Sequence, residues 1–385
     1  VQRDRVYSCI NITGLAIGMT CCLFIFLFVQ DELRYDQYHE NAEQIYRLRV
    51  ERYASGGESE LSAAASAPML PAVLKDFSQI EAGTRFHQVT ALVEHGEQRL
   101  YEDRFFWADA AVFDIFSWPM LAGDPTTALQ SPNTVVITQS TATRYFGQEE
   151  PVGKTMTIEK QEMTVTGVVA DPPSQSHFSF DMLGSYVTWE SIAQGDQSNW
   201  WGLRYYTYLK LGEDTPIDVL AEQLRELPSR YVGEQESGSG YRQFLYLQPL
   251  ADIHLRSHYK DEIEPNSDIA YVYTFLMVAL FILVIAGINF MNLSTARSSQ
   301  RAKEVGIRKV AGAYKSHLVS YFMGESVILA GVAMALAVVL LYLTMPLFNQ
   351  LASKTLSLQD FMSPTWLSGL VLFTLVIGAL SGIYP

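Results

Sequence analysis

Four stretches of this chain carry no charge over lengths that suit a lipid bilayer: Val6 to Val29 (24 residues), Tyr271 to Ala296 (26), Ser326 to Phe348 (23) and Phe361 to Pro385 (25). Crossing the hydrocarbon core takes roughly 20 apolar residues, so each run is long enough to span. One such run fits a buried core helix; four in a chain of 385 residues point to a membrane. The first run also has the basic flank of a signal peptide, in Arg3 and Arg5. Its apolar stretch exceeds the ~7–15 residues of a signal core, and no small-residue cleavage pattern precedes QDELRYD, so it reads as an uncleaved anchor.

Lysine and arginine in the short connections set the orientation. Arg297 to Lys315 holds six basic residues against the single acid Glu304, and the N-terminal flank is basic as well. Both termini and this loop are therefore expected in the cytoplasm, with the long segment between the first two runs outside. The predicted fold is a membrane protein of four transmembrane α-helices with a large α+β domain inserted between the first and second. Its parts are a flank and first helix (1–29), an external domain (30–270), a second helix (271–297), a cytoplasmic loop (298–316), a third helix (317–348), a short external loop (349–363) and a fourth helix (364–385).

The formal charge of −14 averages two opposite populations, because residues 30–270 alone hold 37 acids and 18 basic residues. An external surface so acidic argues against nucleic acid as its partner. All three cysteines, Cys9, Cys21 and Cys22, lie in the first run, so the external domain has no disulfide framework and no cysteine metal site.

Within that domain, strand patterns fall at Ile45 to Tyr53, Thr134 to Thr138, and in a hairpin of Lys154 to Ile158 and Met163 to Val169 around EKQE. Helical patterns fall at Pro68 to Phe77, Gln139 to Phe146, and Ile217 to Leu227. Gly233 to Gly240 reads as a loop. The stretch FGQEEPVGKT imitates a phosphate-binding loop, but five residues separate Gly147 from Gly153 where the motif needs four. A helical pattern precedes it, a strand follows it, and Glu149 and Glu150 would repel phosphate, so it reads as a turn from helix to hairpin.

His254 and His258 have the i, i+4 spacing of a helical metal pair, yet Leu255 stands where the metalloprotease motif needs glutamate; a surface turn is the plainer reading. Trp200, Trp201, Tyr205, Tyr206 and Tyr208 form an aromatic cluster that lines either a ligand surface or the core, and core is the commoner use. No spacing suggests a catalytic constellation, and no cofactor or metal site is assigned to this chain.

In the apolar runs, Gly14 and Gly18 form a G-x-x-x-G pattern that lets another helix approach closely. Asn289 and Asn292 lie three apart in the second run, a face expected to pack on protein, because amides in hydrocarbon need partners. Glu325 is placed at an interface or beside a basic residue. The cytoplasmic loop ARSSQRAKEVGIRKVAGAYKSHL puts Ile307, Val310, Ala311, Tyr314 and Leu318 on one helical face. Gly306 and Gly312 each weaken a helix by roughly 1 kcal/mol, so a short helix ending at Gly312 is expected before the third run. Such a loop either rests on anionic lipid or docks a cytoplasmic partner.

Here the sequence becomes recognisable. NFMNLSTARSSQRAKEVGIRKVAGA followed by YFMGESVILA resembles the core signature of the MacB/FtsX-type ABC transporter permeases. NITGLAIGMTCCLFIFLFVQDELRYDQYHENAEQIYRL, ATRYFGQEEPVGKTMTI and LQPLADIHLRSH resemble the long, duplicated members of that family. The resemblance implies a multi-pass protein of the bacterial inner membrane whose external part is a MacB-like periplasmic core domain. It implies that Arg301, Lys303, Glu304, Val305, Gly306, Ile307, Arg308, Lys309 and Gly312 contact a cytoplasmic ATPase dimer, which holds the ATP and magnesium.

By the same resemblance the chain is a non-catalytic permease subunit that transmits movement to the periplasmic domain, for export or extraction of a peptide, lipoprotein or antimicrobial compound. Its other implied partners are a second permease half or copy, a periplasmic adaptor or substrate protein, and membrane lipid. Long members repeat the whole unit, whereas this chain stops inside its fourth run, which suggests the first half of a longer protein. A membrane sensor whose external domain binds a ligand or controls a cell-wall enzyme is the alternative.

Overall fold

A computed structural model describes residues 2–53, 59–232, 242–295, 305–311, 314–352, 354, 356 and 364–383. The loop expected at Gly233 to Gly240 lies outside them. The chain divides into two units: Arg34–Asp268, and a helical unit of Val1–Leu33 with Ile269–Pro385.

The first unit is rich in strands. They are β1 (Ile45–Tyr53), β2 (Ser59–Ser62), β3 (Ile80–His95), β4 (Gln98–Ala108), β5 (Met120–Gly123), β6 (Thr134–Thr138), β7 (Thr155–Ile158), β8 (Gln161–Val169), β9 (Met182–Ser185), β10 (Tyr206–Leu211) and β11 (Arg242–Pro249). They join one sheet in the order β11-β1-β10-β3-β4-β9-β6-β8-β5; β2 pairs with β1, and β7 bridges β3 and β8. Pairing is antiparallel except for β4 with β9 and β6 with β8.

Alternation along β1 explains its two faces. Tyr46, Leu48 and Val50 pack with Leu209, Leu245 and the short helices Met69–Asp76 and Ile217–Arg225. Ile45 faces an aromatic core of Phe86, Phe106, Phe116, Trp118, Phe178 and Tyr208. Gly83 is glycine for want of room, since a Cβ there would meet Leu70 Cδ1 at 2.3 Å.

The hairpin of β7 and β8 turns on Glu159 and Lys160, both at positive φ, so its loop is two residues and Gln161 already belongs to the strand. Of the stretch that imitates a phosphate loop, Gly147 (φ 62°) caps the helix Gln139–Phe146, Lys154 pairs with Glu149, and Thr155 opens β7.

The helical unit contains Gln2–Leu33, Ile269–Thr295, Lys315–Ala352 and Pro364–Ile383, here called the first to fourth helices. Three are long and apolar enough to cross a membrane, over Cys9–Leu33, Ile269–Asn292 and Ser316–Ala352. Of the four spans expected, these three are met among the described residues; the apolar part of the last helix, Pro364–Leu380, is shorter. The first helix packs on the second and third and touches the fourth: Gly18 faces Ala286 of the second, the Thr20 hydroxyl lies 3.3 Å from the Ala337 carbonyl of the third, Phe24 stacks on Phe348, and Phe26 meets Trp366 of the fourth. At its end Asp31 and Glu32 are buried, and Lys354 pairs with both at 2.6 and 2.7 Å. An acid pair that would be costly beside lipid is thereby neutralised in part, and the helix runs on to Leu33.

Candidate functional site

Between the second and third helices the chain forms a helical turn over 305–310, closed by the Ala311 N–H on the Ile307 carbonyl (3.0 Å). Its sequence, VGIRKV, carries β-branched residues and a glycine, so intrinsic propensity holds it weakly. Its Arg308 guanidinium lies 4.1 Å above the ring of Tyr321 in the third helix. The remaining bulky apolar groups point away from the chain. Ile307 is 63% exposed, Val310 91% and Tyr314 75%, beside the exposed Lys309.

Leu318 does not share that face, for it is buried at 7% exposure in the third helix. The single amphipathic face expected from the sequence is thus split where the helix breaks after residue 310. Val305 is half-buried, and Gly306 has open space where a Cβ would stand. Arg301, Lys303, Glu304 and Gly312 lie outside the described residues.

The helix-packing residues fall in one unit. A Cβ on Gly14 would sit 3.2 Å from Asn289 Nδ2, and one on Gly18 would sit 2.9 Å from Ala286 Cβ, so both glycines mark close approach of the first and second helices. Asn289 and Asn292 remain exposed, so the amide face expected to be covered by protein is left largely open by this chain itself. Asn11, which the sequence reading passed over, is buried, and its Oδ1 has no partner among the described residues. Glu325 is half-buried in the third helix.

In the sheet domain the two histidines separate. His254 is buried and stacks on Tyr35 at 3.3 Å, whereas His258 is exposed and faces Asp268 at 3.3 Å. The helix Ile253–Arg256 ends between them, so the i, i+4 geometry is never formed, and the surface turn expected here holds only for His258. Among the described residues no cluster of metal-ligating side chains occurs.

The aromatic cluster is divided too. Tyr205, Tyr206 and Tyr208 are core, while Trp200 and Trp201 are half-buried. Next to Tyr205, His87 lies against Trp189, and burial pushes its pKa below the ordinary value. A shallow cleft of about 380 Å³ opens beside it, lined by Gln88, Asp103, Arg204 and Tyr206.

Comparison with known proteins identifies two families in the chain. A family described as the MacB-like periplasmic core domain matches residues 8–227, and the FtsX-like permease C-terminal family matches residues 276–385. A protein of Pseudomonas fluorescens named "Probable export ATP-binding/permease protein" is 23% identical over 90% of this chain and 51% of its own length. The macrolide export ATP-binding/permease protein MacB of Aggregatibacter actinomycetemcomitans is 26% identical over 52% of this chain and 28% of its own length. The chain thus spans about half or less of these relatives. Among solved structures, the periplasmic region of MacB from Actinobacillus actinomycetemcomitans aligns with 53% of this chain and 92% of its own, at 18% identity and a TM-score of 0.37.

Proposed function

The chain belongs to the MacB/FtsX-type ABC transporter permease family, and on that premise we propose that it is the non-catalytic subunit of a bacterial inner-membrane transporter. It converts the ATP-driven closure of a separate ATPase dimer into movement of its periplasmic domain, and so serves export or extraction of a peptide, lipoprotein or antimicrobial compound. The ATPase, with its ATP and magnesium, docks on residues 301–313. The fourth helix completes the crossing, and a second permease half or copy stands opposite.

One observation carries this reading: the exposed group of Ile307, Val310 and Tyr314, flanked by Lys309 and held to the third helix by Arg308. A loop that only rests on lipid headgroups needs its charges outward, whereas large exposed apolar side chains suit a protein groove. The cation–π contact gives a push on the loop a path into the third helix.

Co-purification of the full-length protein tests the proposal. The chain alone should hydrolyse no ATP, and its co-purified partner should be an ABC ATPase whose turnover responds to the permease. A sensor kinase or cell-wall hydrolase recovered in place of an ATPase would overturn it.

A further inference from the structure

The segments that connect the sheet domain to the first and second helices are irregular, yet each is fixed by a charged group: the buried Asp36 on the incoming side, and on the outgoing side the half-buried Glu262, which the fully buried Arg47 holds. On the incoming side, Asp36 is 1% exposed and sits at φ 59°. Its Oδ1 accepts from the backbone N–H of His177 (3.1 Å) and from His177 Nδ1 (2.9 Å). On the other side of that ring, Nε2 accepts from the Tyr208 hydroxyl at 2.6 Å. On the outgoing side, Glu262 receives both terminal nitrogens of Arg47, at 2.6 and 2.9 Å, and the hydroxyl of Ser257. Arg47 is 0% exposed and also donates to Gln248 of β11 (2.8 Å) and to Ser257 (2.7 Å).

The two systems meet. Arg47 of β1 and Tyr208 of β10 are directly paired across the ladder, so their side chains leave the same face of the sheet as neighbours. Burial pushes the Tyr208 phenol far above its ordinary pKa; Arg47 draws it back, and Glu262 and Asp36 push it further. Tyr208 thus stands between the two systems, bonded to His177 and paired across the ladder with Arg47. Burying so many charges is costly, and apolar side chains of equal volume would hold the sheet as well or better.

We infer that Asp36, His177, Tyr208, Arg47 and Glu262 form one buried polar chain that couples the segment leaving the first helix to the segment approaching the second. A displacement at either connection is then carried through β10 and β1 to the other. As a role in transport this rests on the permease reading above; as a coupling between two segments it can be measured without it.

The experiment is hydrogen–deuterium exchange on the full-length protein in lipid nanodiscs, without nucleotide. Asp36→Asn keeps a residue that tolerates the left-handed backbone but removes the charge. It should speed exchange by about fivefold or more in the distant segment 257–268 as well as in 34–39. Glu262→Gln should do the reverse, loosening 34–39. Tyr208→Phe deletes one hydroxyl from the middle of the chain and should abolish both cross-effects while leaving each end in place. If each end variant alters only its own segment, or if the cross-effects survive Tyr208→Phe, the inference falls. Failure of the permease reading would look different: the cross-effects would stand, while ATP added to the wild-type complex would change neither segment.

Discussion

His39 shows what burial does to one side chain. It is 3% exposed, its Nδ1 accepts from the Ser117 N–H at 3.0 Å, and its Nε2 has no partner among the described residues. Burial pushes its pKa down to about 4; Asp36 pulls it up, and His177 adds to the lowering. In the unfolded chain the same group titrates near 6.5, so between about pH 6.5 and 4 the unfolded state binds the extra proton and stability falls as pH falls. The loss reaches about 3 kcal/mol at the acid end and is absent above pH 7. His39→Asn keeps an acceptor for Ser117, and it should flatten that part of the pH–stability curve, read from thermal unfolding at several pH values.

Arg47 makes a different point at the same scale. Arg47→Met leaves the half-buried Glu262 without its cation and should cost about 3 kcal/mol, the low end for a broken buried pair, while Arg47→Met with Glu262→Met should recover most of it. Tryptophan fluorescence in a denaturant series checks both. Nothing in IYRLRVERY distinguishes Arg47 from Arg49, because an arginine in an alternating strand reads as solvent-facing. Its partner lies 215 residues away, and local spacing cannot find such a pair.

Elements were legible where one period dominates. Ile45–Tyr53, Thr134–Thr138 and the helix Gln139–Phe146 stand in the structure with the bounds their patterns give. The long β3 and β4 were missed because both faces are buried in part and β3 contains a bulge near Thr90, so no clean alternation survives. In the turn at 305–310 the residue types were legible, but the expected continuous face was not, because the break after residue 310 turns Leu318 into the bundle.

Two predictions belong to elements. Gly18→Ala already forces the first and second helices apart, because Ala286 Cβ is fixed to its backbone, and Gly18→Leu parts them further and should cost about 1–3 kcal/mol, seen as a lower Tm in nanodiscs. Val310→Asp and Ile307→Asp lose no internal packing, so Tm should stay unchanged. Each should weaken ATPase docking by about 30-fold, measured by titrating the partner against the permease.

At the scale of the whole molecule, the division into two units has its own test. Arg34–Asp268 contains its own cores and its own sheet, so it should fold when expressed alone. Its urea transition should be cooperative, and the stability order of the Arg47 and Glu262 variants should be the same as in the full chain. Two non-cooperative steps would show that the helices are needed to complete the sheet.

The pairing of β1 with β11 reaches beyond stability. Tyr46 lies opposite Pro249, so the first and last strands of the domain run side by side. The chain therefore enters the sheet and leaves it at neighbouring positions, as in a hairpin. Strands inserted between β1 and β11 can lengthen or shrink without parting these two neighbours. The domain is in this sense a cassette, and a lineage can change what it handles outside the membrane while leaving its helices as they were.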